Sequence, residues 1–414
     1  MLVPRQGHNS FSTASGDIVV VGGHTTNFTL TKTAERLHNG QWESILINNS
    51  HDDASLTTLP DGRVLICGGF GGSGGNGSCA NCDIYDPLTN TFSSTGNLVT
   101  MRASCNGIAT GIGNNVLLSG NWYGNDRSFE LWDGSTWTSF GSKPSEESHP
   151  LMASDAQGTV YVFGFAGKTG NSQALVVYQV NTVEKTFVTI SVPSLDGYSL
   201  MVNYSFFGSD PVSSQTEDND RLFLATKNQD IDLVRFDVAT ATASKLTTLP
   251  SNIPGLGNAI NYSYNVFYNK SRKEAYVTGY YTVSGGKALV VVNYNLETGE
   301  TILYHGGMFA LLEFGDWTLQ TNTGYLVLTG GLKTNNNDPV NTAIIIKPYI
   351  SRGDVNMDGL VDINDVTLLI DVVLGKPVSY NAAAADCNIE GGDGLVDIND
   401  VTTLISHVLT GNWE

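Results

Sequence analysis

The sequence predicts a mainly β protein, a β-propeller of about seven blades, followed by a small α-helical module. Two observations carry this prediction. An apolar strand that ends in small residues recurs seven times in the first 350 residues, at intervals of 44 to 62 residues. An acidic, glycine-containing loop then occurs twice near the C-terminus, and each copy is followed by a helical pattern.

Seven apolar strands define the repeating unit. They occupy residues 18–23, 64–69, 116–120, 160–164, 222–226, 275–279 and 325–330. In most units a variable loop, a second strand, a tight turn and a last short strand follow. Four strands per unit at a period of about 50 residues are typical of a β-propeller.

Stacking such units in a ring buries the two faces that one small sheet cannot bury alone. A β-sandwich is the alternative. It explains the strands but not their regular order of strand, glycine pair, loop, aromatic-aspartate and turn. The last unit ends near Pro348 without an evident outer strand, so it can close the ring with three strands.

The second unit carries the most specific motif. It reads DGRVLICGG over residues 61–69 and DIYDPLTNTF over residues 83–92, and the first unit shares the glycine pair at 22–23. These residues resemble the Kelch-type propellers. The later units lose the double glycine or the aspartate-proline turn. The sequence is therefore compatible with either six or seven blades.

Composition restricts the partners. The chain has a formal net charge of −19, and the segment from Gly353 onward contains eleven Asp and Glu residues but a single Lys. Nucleic acid binding needs a basic footprint, so we expect no nucleic acid partner.

No apolar run approaches the ~20 residues of a membrane span. The first residues do not read as a signal peptide. Either the protein is intracellular or its signal peptide has been removed. Low charge and the acidic loops favour an extracellular or cell-surface protein whose signal peptide has been removed.

Five cysteines leave at least one unpaired. Cys79 and Cys82 form a single Cys-x-x-Cys in a glycine-rich loop. A structural zinc site needs a second pair nearby, and none is evident. We therefore expect a local disulfide or inert thiols.

Polar residues of the predicted innermost segments form a candidate ligand site, because propellers usually bind at one end of the ring. The candidates are His8, His51, Asp52, Asp53, Arg102 and His149. Trp122 and Tyr123 lie in a loop and can stack on a sugar ring. The alternative is that these residues satisfy buried turns and line a water-filled channel.

An enzyme remains a second hypothesis. The copper-radical oxidase set of two Tyr, two His and a cross-linked Cys is not matched, and the sialidase turn motif is absent. Paired carboxylates for glycoside hydrolysis could come from the acidic residues of the same segments. These are Asp52, Asp53, Glu146, Glu147 and Asp316.

The acidic loops have the spacing of a calcium site, which needs six to eight oxygens around one ion. In the first loop the predicted ligands are Asp354, Asn356, Asp358, the Leu360 carbonyl, Asp362 and Asp365. In the second they are Asp386, Asn388, Asp393, Leu395, Asp397 and Asp400. The second loop contains three extra residues, 390–392, so we expect a less regular site there. The sequence thus predicts two Ca²⁺ ions, the second with a looser set of ligands.

Each loop leads into an amphipathic helix. The predicted packing faces are residues 366, 369, 370 and 373 in the first helix and 401, 404, 405 and 408 in the second. Gly375 and Gly411 are expected to end the helices.

This pattern resembles a type I dockerin with two half-EF-hand loops, and the resemblance covers residues 353–414. It implies a cohesin-type partner and a place in a cellulosome-like or surface assembly that degrades polysaccharide. The family's partner-selecting positions fall on Ile363, Asn364, Ile398 and Asn399. We therefore expect a propeller over residues 1–350 and a dockerin over 351–414. The propeller is expected to bind glycan or protein; the alternatives are an O-glycosyl hydrolase or a purely structural interaction protein.

Overall fold

The computed structural model divides the chain into two compact units, Met1–Ile346 and Lys347–Glu414. It describes residues 1–71, 77–121, 127–142, 150–165, 175–200, 213–284, 286–309, 315–332, 338–347, 352–356, 361–378, 380–389 and 392–413.

The first unit is a seven-bladed propeller whose blades follow one another along the chain. Blades 1 to 3 contain β1 Asn9–Ser12, β2 Ile18–Val21, β3 Thr33–His38, β4 Gln41–Leu46; β5 Ser55–Thr58, β6 Val64–Cys67, β7 Cys82–Asp86, β8 Thr91–Ser94; and β9 Asn106–Ala109, β10 Val116–Ser119, β11 Ser128–Trp132, β12 Trp137–Ser142. Blades 4 and 5 contain β13 Leu151–Ser154, β14 Thr159–Phe165, β15 Leu175–Asn181, β16 Thr186–Ile190; and β17 Ser199–Leu200, β18 Ser213–Gln215, β19 Arg221–Lys227, β20 Asp230–Asp237, β21 Thr242–Thr248. Blades 6 and 7 contain β22 Asn261–Asn269, β23 Glu274–Val283, β24 Gly286–Asn295, β25 Thr301–Phe309; and β26 Asp316–Leu319, β27 Leu326–Thr329, β28 Ala343–Ile346.

Each of the seven predicted apolar strands lies second in the strand order of its sheet, which confirms the repeat. All four residues of β2 are buried, because neighbouring blades cover both of its faces. Val19 and Val21 pack against blade 2, whereas Val20 packs against Val327 of blade 7. Apolar runs without polar alternation are typical of strands covered on both faces.

The glycine pairs after the second strands make room for the next blade. The second glycine donates its N–H to the inner segment of that blade: Gly23 to the His51 carbonyl at 2.6 Å and Gly69 to the Arg102 carbonyl at 2.8 Å. The first glycine has left-handed backbone, and a Cβ on Gly22 would lie 1.7 Å from the His51 carbonyl oxygen. Only glycine combines this conformation with so close an approach.

Substituting Gly22 tests this explanation. Gly22→Ala is expected to lower the free energy of unfolding by about 3 kcal/mol or more, because the methyl group adds a backbone clash to conformational strain. Gly40 is a matched control. It has a similar φ of +76°, but a Cβ on Gly40 would have no heavy atom within 4 Å apart from its own chain neighbours. Gly40→Ala should cost about 1–2 kcal/mol. Equal losses in denaturant unfolding of the two variants would contradict the blade-contact explanation.

Blade 7 has three strands within the described residues. It closes the ring on blade 1, where Arg5 donates its N–H to the Val340 carbonyl and Gly331 donates to the Arg5 carbonyl. The hydroxyl of Ser10 donates to Asp316 at 2.8 Å across the same contact. The junction between the last blade and the first therefore uses the same glycine hydrogen bond as blades 1 and 2.

The second unit contains three helices, α1 Ile363–Val373, α2 Ala382–Ala385 and α3 Ile398–Thr410. Val366 and Leu369 of α1 pack with Val401 and Leu404 of α3 in one apolar core. Gly375 follows the last turn of α1, and Gly411 caps α3 in left-handed conformation. No helix in the described part of the chain has the length and apolar character needed to cross a membrane.

Candidate functional sites

The first acidic loop, residues 354–365, is fastened to α1 by Asp365. Its carboxylate is buried and accepts backbone N–H groups from Asn356 at 3.0 Å and from Asp362 at 2.9 Å. Asp362 in turn caps α1 by accepting the N–H of Asn364 at 2.7 Å. The loop and the start of the helix are therefore one hydrogen-bonded unit.

Asp354 begins this loop as a buried carboxylate, with one oxygen 3.8 Å from the Lys347 ammonium. Asn356, Asp362 and Asp365 complete the predicted ligands that the structure describes. The other two, Asp358 and Leu360, lie outside the described residues.

The second acidic loop, residues 386–400, repeats the arrangement around Asp400. This buried carboxylate accepts N–H groups from Cys387 at 2.6 Å, Asn388 at 2.8 Å and Asp397 at 2.8 Å. Asp397 caps α3 as Asp362 caps α1. The duplicated sequence thus forms the same helix start twice.

The two loops differ at their first positions. Asp386 accepts N–H groups from Asp393 at 2.8 Å and from Gly394 at 2.7 Å, so both of its oxygens bond to the loop backbone. The side chain of Asn388 donates to Asp393 at 2.7 Å. Leu395 also donates its N–H to Asp393. The side chains at the first and third positions of the second loop are therefore already hydrogen-bonded within the loop.

The predicted ligand residues of both loops fit a hard cation such as Ca²⁺, since they offer carboxylate, amide and backbone carbonyl oxygens. Asp354, Asp365 and Asp400 are buried carboxylates, and a buried charge is costly unless a positive charge accompanies it. Within the described ranges no three His, Cys, Asp or Glu side chains converge on one possible metal position. The described oxygens instead accept backbone N–H groups, so the two calcium positions stay a prediction.

Helices α1 and α3 each present an exposed apolar stripe at positions i, i+7 and i+11, which share one helical face. The exposed fractions are 63% for Ile363, 38% for Ile370, 68% for Leu374, 60% for Ile398, 37% for Ile405 and 80% for Leu409. Each residue of the first stripe has its counterpart 35 residues later. We call these sets the docking stripes.

The docking stripes include two of the four predicted partner positions, Ile363 and Ile398. Asn364 and Asn399 are exposed beside them. The assignment of Ile370 and Ile405 to the packing face was wrong, because both side chains are more than one-third exposed. The sequence does contain a signal for this exposure, because Ile370 and Ile405 also belong to the apolar rows that begin at Ile363 and Ile398.

An aromatic stack joins the two ends of this unit. The Arg352 guanidinium lies 4.2 Å above the Trp413 ring, and the His407 ring lies parallel at 3.8 Å on Trp413. Arg352 also donates to the Cys387 carbonyl at 2.9 Å. Trp413 therefore links the first residues of the unit to the end of α3.

Removing this ring should loosen the unit. We expect Trp413→Ala to lower the free energy of unfolding of the C-terminal unit by about 2 kcal/mol, through lost packing and a lost cation–π contact. Trp413→Phe retains an aromatic face and should cost about half as much. Thermal unfolding in calcium compares the two; indistinguishable losses would show that the stack contributes nothing.

A basic side chain before the first strand pairs with an acid on the third strand in blades 1, 2 and 3. The pairs are Arg5–Glu35 at 2.6 Å, His51–Asp83 at 3.2 Å and Arg102–Glu130 at 3.0 Å. All six side chains are buried. Each pair ties the inner segment of a blade to its third strand.

His51 occupies the position of an arginine in this pattern. Its Nδ1 lies 2.9 Å from the Gly68 carbonyl and its Nε2 3.2 Å from Asp83. Both partners carry oxygen atoms that can accept a hydrogen bond from the ring. For the predicted ligand residues His51 and Arg102, this geometry favours a structural role inside the blades.

The predicted ligand residues His8 and Asp53 are also buried. His8 Nε2 is hydrogen-bonded to the Thr329 hydroxyl at 3.1 Å, and burial together with the charge of Arg5 lowers the pKa of His8 to about 3. Asp53 donates its backbone N–H to the Gly7 carbonyl at 2.8 Å and accepts the Ser104 hydroxyl. These contacts join neighbouring blades.

Asp52 lies buried against His24, whose Nδ1 donates to its carboxylate at 2.8 Å. Burial outweighs this hydrogen bond and raises the pKa of Asp52 to about 6. A raised pKa stabilises the fold at low pH, and this contribution is lost as pH rises towards 6. Asp52 is thus the predicted ligand residue whose charge responds to mildly acidic pH.

The variant Asp52→Asn tests this titration. Between pH 4 and pH 7 the wild-type chain should lose about 2–3 kcal/mol of stability through this group. The variant keeps the acceptor for His24 and lacks the titration. Unfolding of both proteins across that pH range should give converging stabilities at pH 4 and a variant advantage at pH 7. Parallel pH profiles would contradict the raised pKa.

Three predicted ligand residues, Trp122, Tyr123 and His149, lie outside the described residues, as do Glu146 and Glu147. A cavity of about 320 Å³ lies instead between blades 5 and 6. It is lined by Thr216, Glu217, Asp218, Arg235, Tyr268, Lys273, Leu296 and Glu297. None of the predicted ligand residues contributes to this lining, and Glu217 is already paired with Lys273 and Tyr268.

Comparison with protein families matches residues 352–409 to the Dockerin type I domain and residues 57–98 to the Kelch motif. A search of curated proteins finds no match to the chain. Type I dockerin domains are typically calcium-binding and imply docking to a cohesin, and they typically occur in extracellular or cell-surface proteins. A Kelch propeller implies binding of a protein or another ligand. The chain is therefore a seven-bladed β-propeller with a Kelch motif, joined to a C-terminal type I dockerin domain.

Proposed function

We propose that the C-terminal unit docks the protein, in a calcium-dependent manner, to a cohesin on a partner protein. The observation that carries this proposal is the pair of docking stripes. Each stripe leaves three large apolar side chains exposed on a small acidic unit. Exposed apolar surface of this kind, rimmed by polar residues, is typical of a protein-binding face.

The internal repeat supports two orientations of docking. The stripe on α1 and the stripe on α3 have the same three residue types, Ile, Ile and Leu, at the same spacing. A partner that fits one stripe therefore meets an equivalent set of side chains on the other stripe. Asn364 and Asn399, beside the stripes, give both orientations the same polar rim.

Binding of a type I cohesin to single and double variants tests the proposal. Ile370→Asp or Ile405→Asp alone should weaken binding less than tenfold, because the other orientation remains. The double variant should weaken it by 100-fold or more, since a charge then interrupts both stripes. Leu88→Asp is the control, because Leu88 is an exposed leucine of the propeller. Unchanged affinity in the double variant would refute the stripes as the docking surface.

For the propeller we propose a binding role within the docked assembly. Calcium-dependent docking would bring it to a polysaccharide-degrading complex, where it holds a glycan or a protein. The supporting observation is that the basic residues of the inner segments of blades 1 to 3 are each paired with a buried acid on the third strand of the same blade. Glycan-array binding without release of reducing sugar is the expected result. Release of reducing sugar by the isolated chain would favour hydrolysis instead.

A further inference from the structure

Four of the five cysteines lie together at the contact between blades 2 and 3. Cys67 ends β6 and Cys82 begins β7, and both are buried in the same apolar cluster as Cys105. Cys79 is half-buried beside them. All five cysteines have free thiols in the structure. The function proposed above uses none of them.

Strand register places Cys67 directly opposite Cys82. The next pair along the ladder is hydrogen-bonded, since Gly68 donates its N–H to the Asn81 carbonyl at 2.9 Å. Cys67 and Cys82 therefore occupy a non-hydrogen-bonded position, where opposing side chains approach most closely, with Cβ atoms about 4.5–5.5 Å apart. A disulfide needs about 3.5–4.5 Å, so a small adjustment of the two strands brings the sulfurs within bonding distance.

The other pairings fit less well. Cys79 lies outside β7, where its backbone bonds to Gly69 and Arg102, and its sulfur lies against Gly71. Cys105 comes from blade 3 and directs its thiol to the Cys67 carbonyl at 3.8 Å. The Cys-x-x-Cys spacing of the sequence thus points to a different pair from the one that the sheet register brings together.

We propose that Cys67 and Cys82 form a disulfide that joins β6 to β7 when the chain folds in an oxidising compartment. A small-molecule disulfide such as oxidised glutathione serves as the oxidant. The thiolate of one cysteine attacks it, forms a mixed disulfide and releases one small thiol. The thiolate of the other cysteine then attacks the mixed disulfide, closes the Cys67–Cys82 bond and releases the second small thiol. The two cysteine protons pass through solvent to the two released thiolates.

Burial sets the timing of this reaction. It raises the pKa of the Cys67 thiol far above its usual range and that of Cys79 to about 11, so thiolate is scarce in the folded protein at neutral pH. The bond therefore forms before blade 3 covers blade 2. Refolding in an oxidising buffer should produce it quickly, whereas oxidation of the folded protein should be slow.

Thiol counts after refolding test the pairing. The full chain is refolded from denaturant with calcium and a glutathione redox buffer, and free thiols are then titrated in denaturant. Wild type should fall from five free thiols to three. Cys79→Ala and Cys105→Ala should each fall from four to two, and Cys67→Ala and Cys82→Ala should keep all four. No loss in wild type, or loss of the oxidised pair in Cys79→Ala or Cys105→Ala, would overturn the proposal.

A melting measurement separates misfolding from a missing bond. Reductant should lower the melting temperature of oxidised wild-type propeller by roughly 5 °C, as expected for a disulfide that closes a loop of about 15 residues in a large domain. Cys79→Ala should show the same shift. Cys67→Ala should melt cooperatively and show no shift; a shift of wild-type size in that variant would contradict the assignment.

Discussion

Chelation of calcium is expected to unfold the C-terminal unit and leave the propeller folded. Asp354, Asp365 and Asp400 are buried carboxylates in a unit that carries few basic residues. Without a cation their burial costs free energy, and metal binding is then coupled to folding. At a calcium concentration about 1,000 times the dissociation constant, linkage stabilises the folded unit by about 4 kcal/mol.

Calorimetry in calcium and in EDTA measures this effect. Two transitions are expected in calcium, and in EDTA the one that belongs to the C-terminal unit should shift strongly downward or disappear. Asp365→Asn should reproduce the EDTA result in calcium. Asp371→Asn is the matched control, because Asp371 lies on α1 outside the loops and pairs with Lys376 near the surface. Identical melting of the unit in both buffers would contradict coupled folding.

Arg102→Ala is expected to destabilise the propeller by about 3–5 kcal/mol. The substitution leaves Glu130 as a buried carboxylate without its cation, and breaking a buried pair costs more than the pair contributes. It also removes a hydrogen bond from the guanidinium to the Gly120 carbonyl at 3.0 Å. Denaturant unfolding of the propeller measures the loss.

A surface pair provides the control for Arg102. Arg63 and Asp61 are bonded at 2.7 Å, but both are more than one-third exposed, so Arg63→Ala should cost less than about 1 kcal/mol. The double variant Arg102→Met with Glu130→Leu should recover much of the lost stability, because no unpaired charge remains. A loss at Arg102 as small as that at Arg63 would contradict a structural role and restore Arg102 as a ligand candidate.

The blades could be predicted from sequence because burial on both faces makes the second strands apolar throughout. β2 and β6 contain no polar residue, and a glycine pair follows each. The roles of His51 and Arg102 could not be predicted in the same way. A basic residue before a strand gives the same sequence pattern whether its side chain lines a channel or pairs with an acid inside a blade. The decisive partner, Asp83 or Glu130, lies about 30 residues later.

The helices of the C-terminal unit show a second limit. A pattern of i, i+3, i+4 and i+7 marks an apolar face, but it does not fix which part of that face a neighbouring helix covers. Helix packing covers Leu369 and leaves Ile370 exposed. The cysteines show a third limit, because spacing along the chain favours Cys79 with Cys82, whereas sheet register opposes Cys67 to Cys82.

Isothermal titration of the full chain with a type I cohesin tests calcium-dependent docking of the C-terminal unit. The predicted result is tight binding in calcium, with no measurable heat of binding in EDTA and recovery when calcium is restored. Binding of equal affinity in EDTA, or no binding to any type I cohesin in calcium, would contradict the claim.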